Sequence, residues 1–100
     1  MSEFIVHINR MFEDIVPLYL KHRQENVMSL TGALKEGDFI KCERIGKSMK
    51  SSGALYGFKS ISTLGDSIEK AAQNKDKPTI QKWIAYLDSY LKNMDIKLTK

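Results

Sequence analysis

The sequence predicts an all-α fold: an antiparallel four-helix bundle with a short N-terminal arm or helix. Three observations point to it. Apolar residues recur at helical spacing along almost the whole chain. Glycine and polar breaks at Gly37, at Gly57 and at Asn74-Lys75-Asp76-Lys77 divide that pattern into four long segments. No segment shows period-two alternation of useful length. Amphipathic helices joined by short turns bury their apolar stripes by packing on one another.

The elements follow in order. Ile5-Val6-His7-Ile8 is strand-like, but a lone strand has nothing to pair with, so it is expected as an arm. Asn9 is a candidate N-cap, with Glu13 and Asp14 in the opening turns. Pro17 lacks an amide hydrogen, so it should restart or kink the first helix. Leu20, Val27, Leu30 and Leu34 form that helix's apolar face, and Gly37 ends it. Asp38 caps the second helix, whose inner face is Cys42, Ile45, Met49 and Tyr56, and Gly57 stops it. Phe58 or Ser60 begins the third, with Ile61, Leu64, Ile68 and Ala72 inward. Asp76 caps, or Pro78 opens, the fourth. Its stripe is Ile80, Ile84, Leu87, Leu91 and Met94, flanked by Trp83 and Tyr90.

One hundred residues suit a single domain spanning 1–100, with room for one modest core. Hydrophobic residues make up 42%, and no apolar run approaches the ~20 residues that span a bilayer. The opening residues show no basic leader followed by an apolar segment, so no secretory signal is expected. The single cysteine, Cys42, has no internal disulfide partner and fits a reducing, cytoplasmic setting. The net charge is +4 and the pI about 9.2. Lysines gather at Lys41, Lys47 and Lys50, at Lys70, Lys75 and Lys77, and at Lys92, Lys97 and Lys100. Such a mild field suits a solvated surface. Nucleic acid ranks last among the partners, because the charge is modest and aromatics are not interleaved with it.

The densest information lies in Ile45-Gly46-Lys47-Ser48-Met49-Lys50-Ser51-Ser52-Gly53-Ala54-Leu55-Tyr56-Gly57-Phe58. A helix turns by about 100° per residue. On that count Lys47 lies about 140–160° from Cys42, Ile45 and Met49, and so faces outward. Lys50, Glu43 and Ala54 share its surface, with Gly46 and Ser51 beside them. The result is an exposed face of small residues and two cations.

This stretch resembles the signature of histidine phosphotransfer (HPt) domains, Gly-His-x-Met/Leu-Lys-Gly-x-x-x-x-Tyr/Phe-Gly-Phe/Ala, with Lys47 at the histidine position. Pro17-Leu18-Tyr19-Leu20-Lys21-His22-Arg23 is similar to the Pro-x-Phe/Tyr-Leu-x-x-Arg opening of related bacterial domains. Gly37-Asp38-Phe39 resembles their helix-joining turn, and Ile61 to Ala72 also fits, so the likeness covers nearly the whole chain. The resemblance implies a four-helix module of a two-component phosphorelay, whose partner is a response-regulator receiver domain or a hybrid histidine kinase. In active members the histidine ring takes a phosphoryl group from a phosphoaspartate, and the lysine matched here by Lys50 screens its charge. A lysine ammonium has a reference pKa near ~10.4, so only about one in ~10³ is a free nucleophile at neutral pH. Imidazole, near ~6.5, offers a neutral nitrogen there. A second departure is Ser51, where the family usually has glycine.

The expectation is a pseudo-phosphotransferase: no enzyme, no cofactor, no metal, monomeric, docking a receiver through Glu43, Gly46, Lys47, Lys50, Ser51 and Ala54. Two alternatives stand beside it. One is an active carrier, either because the acceptor was changed at Lys47 or because His22 replaced it. The other is a helical interaction module outside signalling. His22 and His7 are the only histidines. His22 is expected on the outer face of the first helix, without the small-residue surroundings of a phosphoryl acceptor. Cys42 should be packed inside. Ser48, Ser51 and Ser52 have no histidine base nearby in sequence. The glycines lack the Lys-Ser/Thr ending of a phosphate loop.

Overall fold

The structure is a computed structural model that describes residues 4–100; Met1-Ser2-Glu3, the start of the expected arm and of the segment read for a leader, lie outside them. Strand β1 (Phe4–Asn9) leads through a single 3-10 turn (Arg10–Phe12) into α1 (Val16–Lys35). Helices α2 (Phe39–Tyr56), α3 (Lys59–Gln73) and α4 (Lys77–Lys92) follow, and β2 (Met94–Thr99) closes the chain. Each helix packs on the next, and α4 returns against α1.

The helix ends follow the expected chemistry. Asp38 Oδ1 accepts the Lys41 amide at 3.0 Å. Asp76 accepts the Thr79 amide at 3.3 Å and the Thr79 hydroxyl at 2.7 Å, one residue before the Pro78 turn begins. Gly57 stops α2 at φ 87°, a left-handed conformation that a Cβ would oppose. Asn9 does cap, accepting the Met11 amide at 2.9 Å, but what it caps is the 3-10 turn. Pro17 sits in the first turn of α1, where a missing amide hydrogen costs nothing, so it opens the helix and does not kink it.

Two expectations are corrected. Ile5-Val6-His7-Ile8 is not an unpaired arm. It lies within β1, which pairs in parallel with β2 in the register Phe4↔Met94 through Asn9↔Thr99. The fold is therefore four helices plus a two-stranded sheet, not purely helical. Met94, expected on the stripe of α4, is instead the first residue of β2. The alternation was present: Met94, Ile96 and Leu98 pack against the core, while Asp95, Lys97 and Thr99 interrupt them.

The core takes Tyr19, Leu30 and Leu34 from α1, Cys42 and Met49 from α2, Ile61, Leu64 and Ile68 from α3, and Ile80, Leu87 and Tyr90 from α4. Ile8 of β1 is fully buried with them. Tyr19 stacks on Phe58 at 4.9 Å and meets the edge of Tyr56 at 5.3 Å. Phe4 meets Tyr90 at 4.9 Å, which ties the sheet to α4. Tyr90 is thus a core residue, and half-buried Trp83 flanks the core as expected.

Between α2 and α3 the backbones themselves touch. A Cβ placed on Gly46 would stand 2.7 Å from both the Glu69 nitrogen and the Gly65 carbonyl oxygen. One on Gly53 would stand 2.6 Å from the Ser62 nitrogen. One on Gly65 would stand 2.5 Å from the Lys50 nitrogen and collide with the Gly46 carbonyl. Gly32 on α1, by contrast, faces open space. Gly65→Ala should therefore lower stability by about 1–3 kcal/mol through overpacking. Gly32→Ala should raise it by up to about 1 kcal/mol through helix propensity. Urea denaturation of the two variants measures both signs.

Candidate functional site

Helix α2 holds its middle by two opposite faces. Cys42 and Met49 are fully buried, and Lys47, Ser51 and Ala54 are exposed. Lys47, Lys50, Ser51 and Ala54 of α2 surround a shallow depression of about 340 Å³ with Ser62 and Glu69 of α3. Among the described residues no carboxylate lies within ion-pair distance of Lys47.

Two of the expected surface residues stand elsewhere. Gly46 is buried, because one step around the helix from Lys47 points at α3 and not at solvent. Its role is to let the Glu69 backbone approach. Glu43 is half-buried and accepts a hydrogen bond from Gln73 Nε2 at 3.1 Å, at the far end of α3.

Lys50 is not a free cation. Its ammonium lies 2.9 Å from Asp66 Oδ1 and 3.9 Å from Glu69 Oε1. Its hydrogen bond to the Asp66 carboxylate, which accepts, pushes its pKa up. Asp66 in turn lies 2.9 Å from Lys70. Donation by Lys70 and then by Lys50 holds its carboxyl below the usual aspartate range. Ser62 donates to the Lys50 carbonyl at 2.9 Å. Sequence reasoning missed Asp66, Glu69 and Ser62. The Asp66–Lys70 spacing of four was visible as a local pair, but the pairing with Lys50 exists only once α2 and α3 are in contact.

Exposed apolar side chains border the same face. Ile40 stands seven residues before Lys47 and Leu55 eight after, about 20° and 80° away around the helix. Exposed Leu18 of α1 lines a second cleft with His22, Arg23, Ser48, Ser52 and Tyr56. His22 is exposed, as expected, and His7 is exposed on β1 opposite Lys97. Burial, with Asp38 adding to it, raises the Cys42 thiol pKa, so the thiol is held in its unreactive form. Among the described residues no three of His, Cys, Asp and Glu gather as metal ligands, and no helix is long and apolar enough to cross a membrane. Comparison with protein-family models, with curated proteins and with solved structures finds no match.

The face therefore offers one unpaired ammonium set among small side chains, beside a cation already neutralised. The depressed carboxyl of Asp66 gives a pH test. Its contribution to stability is present above the unfolded aspartate value and is lost as pH falls through the lower folded value. Lys70→Met should move the Asp66 midpoint back upward in a carboxyl-detected NMR titration, and Lys50→Met should move it the same way by less.

Proposed function

We propose that the chain is an HPt-like module that binds the receiver domain of a response regulator, or of a hybrid histidine kinase, without carrying phosphate. The observation that carries this reading is the outward Lys47 in mid-α2, at the position where the resemblance expects the phosphoryl-accepting histidine. The four helices are read as the antiparallel bundle of that family. In support, the buried Ile8 of β1 reaches the turn that joins α2 to α3, with its Cδ1 3.8 Å from a Cβ built on Gly57. The strands adjoin the start of α1 and the end of α4 in sequence. These contacts support a reading in which the start of α1, the end of α2, the start of α3 and the end of α4 share one end of the molecule, as alternating helix directions would require.

Lys47 presents its ammonium to the acidic pocket of the receiver. Ser51 and Ala54 allow close backbone approach, and Ile40 and Leu55 supply apolar contact at the rim. Lys50, bound to Asp66 and Glu69, orders the face without adding free charge. Bound in this way, the module occupies a receiver and blocks its use by an active carrier. A cytoplasmic site follows from that partner.

Calorimetric titration of the protein against the receiver domains of one cell tests the reading. One or more should bind, and Lys47→Glu should weaken that binding by about tenfold or more, roughly 1.4 kcal/mol, with the fold intact. The phosphorylated receiver should leave no acid-labile phosphate on the unaltered chain and should label Lys47→His. Labelling of the unaltered chain would establish an active carrier instead. Absence of binding to every receiver would leave the helical module outside signalling.

A further inference from the structure

Among the described residues, the most deeply buried cation has no carboxylate partner. Arg23 of α1 is only 8% exposed, and its guanidinium lies over the Tyr19 ring, 4.6 Å from the centroid. It donates one hydrogen bond, from Nη1 to Ser52 Oγ of α2 at 2.7 Å. Ser52 Oγ is also 3.1 Å from the Tyr19 hydroxyl. The Nε of Arg23 is sealed from solvent and has no partner. Among the described residues no carboxylate pairs with it, whereas Lys50, Lys70, Lys92 and Lys97 each have one. A guanidinium withdrawn from water costs free energy that an anion normally offsets.

Arg23 lines a cleft of about 300 Å³ between α1 and α2 that holds no acidic side chain. Its polar lining is His22, Ser48 and Ser52, with hydroxyl and imidazole groups able to donate. Its apolar walls include Leu18 and Tyr56. The volume is at the low end for small-molecule sites, which begin near ~300 Å³. We infer that this cleft binds a small phosphate monoester with an apolar substituent, whose phosphate supplies the counter-charge of Arg23. Guanidinium, hydroxyls and imidazole converge as donors on one phosphate, and the Leu18–Tyr56 side takes the substituent. The site stands apart from the α2–α3 face that carries Lys47, so it does not rest on the docking reading.

Arg23→Ala would remove core packing, so Ser48→Glu is the variant of choice: Ser48 is exposed and lines the cleft, and a carboxylate there places an internal anion beside Arg23. The full chain is titrated with phenyl phosphate, inorganic phosphate and benzoate at constant ionic strength and followed by amide and Arg Nε–H NMR. Phenyl phosphate should give saturable shifts at Ser48, Ser52 and Arg23, with affinity about tenfold above that of inorganic phosphate. Ser48→Glu should abolish them. Equal affinity for phenyl phosphate and inorganic phosphate, or for phenyl phosphate and benzoate, would overturn the assignment to an organic phosphate. Shifts centred on Ser51, Ala54 and Ser62, or a response that survives in Ser48→Glu, would overturn the site itself.

Discussion

The approach of α2 to α3 with no side chain between their backbones is the constraint on which the rest depends. Gly46, Gly53 and Gly65 each occupy a position where a single methyl group would meet main-chain atoms of the other helix. That contact fixes the rotation of α2 about its axis. With Gly46 turned against α3 and Met49 turned into the core, Lys47 has only solvent to face. The same approach brings Asp66 and Glu69 within reach of Lys50, and Ser62 within reach of the Lys50 carbonyl. One packing choice thus exposes one lysine and neutralises another three residues away.

The two faces of α2 then carry opposite electrostatic problems. Toward α3, positive charge is matched locally by carboxylates at the surface, where such pairs contribute little to stability and much to geometry. Toward α1, positive charge is withdrawn from water at Arg23 and, among the described residues, matched by aromatic and hydroxyl groups. The first arrangement is complete in itself. The second has no carboxylate partner among the described residues, and Arg23 lines the cleft between α1 and α2.

Much of the fold was legible in the sequence. Asp38, Gly57, Asp76 and Pro78 mark helix ends by local chemistry that needs no tertiary contact, and the apolar faces of α3 and α4 follow from spacing. The sheet was not legible, because its strands lie at opposite ends of the chain and a parallel pair leaves no hairpin signature. The alternation of β2 directly follows the stripe of α4, so Met94 reads as one more helical step. At the site, the outward direction of Lys47 was legible from helix geometry, whereas the burial of Gly46 and the pairing of Lys50 were not. Both depend on which flank of α2 meets α3, and one helix's periodicity does not specify its neighbour. Arg23 was hidden for a related reason: a charged residue on an amphipathic helix reads as solvated unless its neighbours are known to close over it.

The parallel ladder between Phe4–Asn9 and Met94–Thr99 has a mechanical consequence. Strands that run the same way present their outer ends at opposite limits of the ladder. Tension between the two ends of the described chain therefore loads every rung in shear at once instead of peeling them singly. The four helices lie inside that clamp and feel no force until it slips.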